Sequence, residues 1–265
     1  MARVLLTMLC RIPKTEPNGE TPLMKSKLVV LLSALLASGA VLAQPKAPEP
    51  DYTLSFNVGA VTDYRYRGIS QSRLKPALQG GADFAHKSGF YVGTWASTIR
   101  WVEDAGGNAD VEVDIYGGYK TTFGAFGIDV GALRYLYPNS ELAVSPNTTE
   151  LYVAGTYGPA TLKYSHAITN LFGFADSKGS GYLDLSATFD TGFWGMTVTP
   201  HVGHQRVRRN SGASYTDWSV ALGKDFGNGL SASLAYVDTD TDAYFAPSGK
   251  NLGRAGVVLG VKYGF

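Results

Sequence analysis

The sequence predicts an all-β protein, a transmembrane antiparallel up-and-down β-barrel of about 12 strands. Three observations carry that expectation. Beyond residue 52 the chain repeats one theme, roughly 10 to 15 residues of alternating polar and apolar character closed by turn residues, as barrel strands require. The connections between these segments alternate strictly between short and long. No run of 18 successive apolar residues occurs after residue 43, so a membrane could be crossed only by a closed barrel. Composition agrees: 32 of 265 residues are glycine and only 17% are charged, against roughly 25% charged in a soluble domain.

The N-terminal part reads as targeting sequence. Lys25 and Lys27 precede an apolar stretch from Leu28 to Leu36, and Val41-Leu42-Ala43 is a small-residue cleavage pattern before Gln44. Residues 24–43 are therefore expected to be a signal peptide and residues 44–52, with Pro45, Pro48 and Pro50, a periplasmic linker ahead of a barrel over 53–265. Residues 1–23 carry Pro13, Pro17 and Pro22 and fit no export signal. They are read as a mis-annotated upstream extension, with Met24 as the true start. The lone Cys10 lies before the expected cleavage point, which removes disulfides and thiolate metal sites from the exported chain. Of 23 basic and 22 acidic residues, five and two fall in the first 43, leaving 18 against 20 and a formal charge of −2. Nucleic-acid binding wants a clear basic excess, so no nucleic acid partner is expected.

The expected strands are 53–69, 76–86, 89–101, 109–122, 125–137, 148–157, 160–168, 181–190, 193–207, 214–226, 229–239 and 254–265. Lys87-Ser88, Phe123-Gly124, Gly158-Pro159, Thr191-Gly192 and Gly227-Asn228 connect them tightly, and longer polar segments such as 139–147, 169–180 and 240–253 alternate with these. Short periplasmic turns, long extracellular loops and an even strand number are the habits of outer-membrane barrels. Alternation then assigns faces. In the last strand Ala255, Val257, Leu259, Val261, Tyr263 and Phe265 share one side; in the fourth, Val111, Val113 and Ile115 oppose Asp110, Glu112 and Asp114. In a membrane barrel the apolar face meets lipid and the polar face the lumen. Tyr64, Tyr66, Trp95, Trp101, Tyr135, Tyr137, Trp194 and Trp218 sit near strand ends, where aromatic girdles are expected. Pro200, inside the ninth strand, implies a bulge or a displaced strand end.

The candidate chemistry is sparse. His201 and His204 point to opposite faces of a strand and cannot share a metal, and Ser165 and His166 cannot pair as nucleophile and base for the same reason. No catalytic residue, cofactor or metal is expected, and the protein is read as no enzyme. Asp238, Asp240 and Asp242 lie at a loop edge where a cation contact with lipopolysaccharide is conceivable, and Arg206, Arg208 and Arg209 face acidic headgroups or solvent. The lumen holds the sharpest expectation. Arg65 and Arg67 on the first strand and Arg254 on the last form a basic wall, opposed by Asp110, Glu112 and Asp114 on the fourth and Asp184 on the eighth. Such a field would orient dipolar solutes; alternatively the charges pair across the lumen and plug it.

Phe56-Asn57-Val58-Gly59 and Thr62-Asp63-Tyr64-Arg65-Tyr66-Arg67-Gly68-Ile69-Ser70-Gln71 resemble the start of the TorF-like family of proteobacterial outer-membrane porins. Further matching stretches are Gly89-Phe90-Tyr91-Val92-Gly93-Thr94-Trp95, Glu112-Val113-Asp114-Ile115-Tyr116-Gly117-Gly118-Tyr119 and Arg134-Tyr135-Leu136-Tyr137-Pro138. That resemblance implies a Gram-negative cell outer-membrane barrel. Gly260, Tyr263 and the terminal Phe265 are similar to the closing-strand signal of the outer-membrane assembly machinery, which with periplasmic chaperones, lipopolysaccharide and phospholipid makes up the expected partners. The reading is a porin for passive diffusion of small hydrophilic solutes. The alternatives are a structural or surface-binding barrel with a plugged lumen and, less favoured, a lipid-modifying barrel enzyme.

Overall fold

The computed structural model describes residues 50–265. Thus the expected signal peptide, the expected extension before it, Cys10 and most of the expected linker lie outside the described residues. Twelve strands make the barrel: β1 (Tyr52–Val61), β2 (Ala77–His86), β3 (Phe90–Thr98), β4 (Val111–Phe123), β5 (Phe126–Leu136) and β6 (Thr148–Tyr157) form the first half. The second half is β7 (Ala160–Ala167), β8 (Gly181–Ala187, resuming as Phe189–Asp190), β9 (Met196–Arg206), β10 (Tyr215–Gly227), β11 (Leu230–Thr239) and β12 (Gly256–Gly264). Each strand pairs antiparallel with its neighbours in sequence, and β12 returns to β1 with Val58 opposite Tyr263 and Val61 opposite Gly260. Closure leaves no ladder of unpaired N–H and C=O groups, the condition for placing a sheet in hydrocarbon.

The interruption of β8 explains Pro200. Ser186 faces His201 and Phe189 faces Val198 in one continuous register, so no residue is inserted. Pro200 has no N–H to donate, and the ladder lapses beside it at Thr188. The expected bulge is therefore a gap in hydrogen bonding without a shift of register.

The inverted alternation is plain in β12. Val257, Leu259, Val261 and Tyr263 are 47–61% exposed on the outside, while Gly260 between them is buried. The same holds in β8, where Leu183 and Leu185 face out and Tyr182 is buried inside. An outer surface clad in exposed aliphatic side chains has no place in water but suits lipid. One end carries stacked aromatic pairs, Tyr52 on Phe84 and Phe126 on Tyr157. Beside the seam, Phe265 stacks on Phe56 and exchanges two backbone hydrogen bonds with it, 2.9 and 3.0 Å long.

The tight turns are at this end. Asn228 and Gly229, both at positive φ (52° and 82°), supply the two central residues of the β10–β11 hairpin, the backbone that matches strand twist. A side chain at Gly229 would meet the Gly264 carbonyl oxygen at 2.0 Å, so glycine is required there by both conformation and space. The six long loops, here L1 (62–76), L2 (99–110), L3 (137–147), L4 (168–180), L5 (207–214) and L6 (240–255), crowd the other end.

Two expectations need correction. The first strand does not run to residue 69: it ends at Val61, and L1 turns inward. The aromatic girdle is also differently composed. Trp194 and Trp218 face outward at 75% and 42% exposure, with Trp218 against Tyr236. Tyr64, Tyr66, Trp95, Trp101, Tyr135 and Tyr137 instead pack on one another or on neighbouring loops inside the barrel mouth. Proximity to a strand end was right; the face was set by strand parity and by the folding of L1.

Because Leu259 lies midway along the outward face of β12, Leu259→Arg should cost about 2–4 kcal/mol of stability in a bilayer. Urea titration of the liposome-inserted barrel checks this; an unchanged midpoint would contradict the outward assignment.

Candidate functional site: an inward-folded loop across the lumen

L1 leaves β1 and makes a minimal hairpin, with Arg65 opposite Ser70 and Tyr66 opposite Ile69. Arg67 and Gly68 form its two-residue turn at φ 48° and 81°. Both values lie in the left-handed region, uncommon for a residue with a Cβ, so surrounding contacts must hold Arg67 there. Gly68 has no alternative: a Cβ would sit 2.4 Å from Thr239 Cγ2 and 2.7 Å from Asp217 Cβ on the barrel wall.

The turn carries Arg67 to the far wall. Its guanidinium donates from Nη2 to Glu150 Oε2 at 2.7 Å, and from Nη1 to Glu150 Oε1 at 3.0 Å and Gln205 Oε1 at 2.6 Å. This bidentate fork is the strong form of an ion pair. The Tyr182 and Tyr66 rings lie 4.2 and 4.7 Å from the guanidinium carbon, adding cation–π attraction. Both partners are withdrawn from water, with side-chain exposures of 7% and 2%.

Arg65 secures the other side. It donates to Asp63 Oδ2 at 2.6 Å and to the carbonyls of Gly68, Leu252 and Arg254, tying L1 to L6. Asp63 also accepts from Ser70 Oγ at 2.5 Å. A third attachment runs through Glu112, which accepts from Tyr64 at 2.7 Å and from Tyr137 at 2.8 Å. The Tyr66 and Tyr135 hydroxyls meet at 2.6 Å.

Beside the clamp lies a polar cavity of about 420 Å³ whose lining includes Arg67, Lys163, Tyr182, Asp184, His201 and Asp217. His201 Nε2 is 2.7 Å from Asp184 Oδ2, and the Tyr182 hydroxyl donates to Asp217 Oδ2 at 2.9 Å. Farther from L1, the Tyr91 hydroxyl donates to Asp129 at 2.6 Å and that of Tyr116 to Asp83 at 2.5 Å.

Glu112, Asp114 and Asp184 thus face the lumen, the first two buried. Asp110 is exposed just before β4 and Arg254 just before β12, where it offers its carbonyl to Arg65. Arg65 and Arg67 are not on the β1 wall; both belong to L1, and Arg67 crosses to β6 and β9. Sequence reasoning missed Glu150, Gln205, Tyr182 and Asp217. Strand parity alone could have found them, since each is a polar residue on a lumen-facing position. His201 and His204 lie on opposite faces, as do Ser165 and His166, with Ser165 and His201 inward. Gly260, Tyr263 and Phe265 all lie at the β12 seam, where a Cβ on Gly260 would meet Ser233 Oγ at 2.8 Å.

A closed 12-strand barrel with an apolar exterior, a charged interior and a loop folded into its bore defines a porin-like barrel of the outer-membrane type. The chain belongs to the family described as "Bacterial protein of unknown function (Gcw_chp)", whose model matches residues 44–265. No curated protein sequence matches it significantly. Among solved structures it is similar to the KdgM porin, with a TM-score of 0.54 and 11% identity over 80% of this chain and 99% of that one. The KdgM porin in complex with disordered oligogalacturonate gives a TM-score of 0.54 and 10% identity over the same shares. The NanC porin gives 0.49 and 11% over 80% and 99%. At such identities the likeness to KdgM concerns the fold.

If the clamp holds L1, Arg67→Met and Glu150→Gln should be strongly coupled. Each single change strands a buried polar partner at about 3 kcal/mol, and the double change should restore much of that loss. Thermal denaturation of the four barrels measures it; additive losses would remove the pair from the account.

Proposed function

We propose that this protein is a narrow outer-membrane porin that passes small hydrophilic solutes by passive diffusion. Under this reading residues 24–43 direct export, and the barrel, a TorF-like porin, lies in the cell outer membrane. The observation that carries it is the interior itself: a polar bore divided, rather than filled, by one hairpin. The polar cavity of about 420 Å³ lies beside the hairpin, and a second of about 300 Å³ is lined in part by Asn57, Gln79, Ser231, Ser233 and Lys262 on β1, β2, β11 and β12.

Charge around the hairpin sets the expected selectivity. Arg67 is neutralised by Glu150 and Arg65 by Asp63, which leaves Glu112, Asp114, Asp184 and Asp217 against Lys163 and His201, so the remaining carboxyl groups outnumber the remaining cations around the hairpin. Acidic linings favour cations. No step of chemistry is assigned to these groups; their work is to hydrate and orient a passing solute.

The burial of the Arg67–Glu150 pair favours a second reading, in which L1 is a permanent plug and the outer loops serve a surface-binding or structural role. Planar-bilayer recording of the refolded barrel separates the two. The porin reading expects reproducible conductance steps and, under a KCl gradient, a reversal potential of cation preference. Arg67→Ala with Glu150→Gln should raise the conductance by releasing L1. A folded barrel silent in both forms supports the plug and overturns the porin.

A further inference from the structure

At the long-loop end, the outward face of β7, β8 and β9 carries a polar row. His166, Gly181 and Arg206 stand side by side in the ladder, which puts His166 and Arg206 about 10 Å apart along it. They share the parity of Tyr164, Leu183 and His204, exposed on the outside, and the His166 and Arg206 side chains are themselves exposed. Four residues further along the same strands, Leu162, Leu185 and Val202 are exposed in the apolar band.

Two glycines keep the wall low beneath this row. Gly181 lies under the tip of the Tyr164 ring: a Cβ there would meet the phenol oxygen at 2.5 Å. The same hydroxyl is 3.4 Å from His166 Nδ1. Gly179, two residues nearer the loops, lies under Arg208, whose Nη1 would be 3.3 Å from an added Cβ. Arg208 is anchored there by two hydrogen bonds of 2.9 Å, from its amide to Ser180 Oγ and from Nη1 to the Lys178 carbonyl. Thus β8 gives up its own side chains so that donors from β7 and from L5 can lie across it.

No carboxylate answers these charges. Among the described residues, none of Lys178, Arg206 and Arg208 forms an ion pair. L5 contains no acidic residue, and L4 contains only Asp176, which is exposed and forms no ion pair either. On the neighbouring strands the sign reverses. Asp238 shares the outward face with Trp218 and Tyr236, and Asp240 accepts from the Thr216 amide at 2.8 Å. The rim is therefore polarised, basic over β7–β9 and acidic over β10–β11.

Whatever covers this sector must present negative charge at the level of the row and hydrocarbon against the leucines below it. We propose that the outer face of β7–β9 binds a phosphate of the lipid A of lipopolysaccharide. Arg206 and Arg208 donate to the phosphate oxygens, which suit the paired N–H groups of a guanidinium. Tyr164 and His166 add neutral donors. The long loops mark this as the extracellular end, where lipopolysaccharide is the phosphate-bearing lipid. The site lies outside the barrel and does not depend on whether the bore conducts.

Native mass spectrometry of the refolded barrel, released from micelles carrying diphosphoryl lipid A, counts the lipid retained. A single lipid A should be held, with dephosphorylated lipid A and phosphatidylglycerol each at least about tenfold weaker. Inorganic phosphate should not displace it. Arg206→Gln with Arg208→Gln should weaken diphosphoryl lipid A by about tenfold or more. Arg100→Gln with Lys224→Gln, which removes two outward charges elsewhere on the barrel, should leave it unchanged. Equal retention of the phosphorylated and dephosphorylated lipids, or of phosphatidylglycerol, would overturn the proposal. So would displacement by inorganic phosphate, which marks a free-anion site, or equal losses in the two double variants. The lipid comparison is made on the unsubstituted barrel, so it decides the matter even where a variant fails to fold.

Discussion

A guanidinium withdrawn from water must find fixed acceptors, and Arg67 finds them on two strands that its own loop does not otherwise join. Glu150 on β6 and Gln205 on β9 receive its three hydrogen bonds. The left-handed turn at Arg67-Gly68, the seating of Gly68 against Thr239 and Asp217, and the inward course of L1 all follow from that reach. So does the partition of the interior. Tyr66 and Arg67 lie between a charged chamber on one side and an aromatic one on the other, and the same hairpin contributes to both linings.

The barrel makes such a clamp possible. Hydrocarbon offers no partner to backbone amides, so the sheet must close on itself. Once it does, alternation delivers every second side chain to a space narrower than the bore of large porins. Tyrosine suits that space: Tyr64, Tyr91, Tyr116, Tyr135, Tyr137 and Tyr182 each fill volume with a ring and satisfy a carboxylate or hydroxyl with the phenol. Glu112, Asp129, Asp83, Glu150 and Asp217 each thereby gain a local donor, and rings that would form a girdle on the outer face become structure on the inner one.

Much of this was legible in the chain. Turn chemistry and alternation marked all twelve strands, because period-two patterning and short tight turns are local properties. They also placed Glu112, Asp114 and Asp184 in the lumen. The course of L1 was not legible in the same way, since the alternation of residues 53–60 slips only at Val61-Thr62 and resumes with Tyr64 and Tyr66, so nothing local says that the chain turns inward. The Arg67-Gly68 turn is a local signal, but its meaning depends on Glu150 lying 83 residues away. Parity applied to the sixth strand would have put Glu150 on a lumen-facing position, but only closure of the sheet brings β6 opposite the L1 tip. Pro200 taught a milder lesson. A missing donor breaks one ladder contact without bending the register, so proline in a strand need not mark its end.

The account rests on L1 being a fixed part of the lumen rather than a loop that visits it. Hydrogen–deuterium exchange of the intact barrel by mass spectrometry tests that directly. The amides of residues 64–71 should exchange at least about a hundredfold more slowly than those of the exposed segment 247–250 in L6, because Tyr64 and Gln71 donate within L1 and its turn is buried. Equal, rapid exchange in the two segments would mean that the hairpin is not held across the bore, and the partition of the lumen would fall with it.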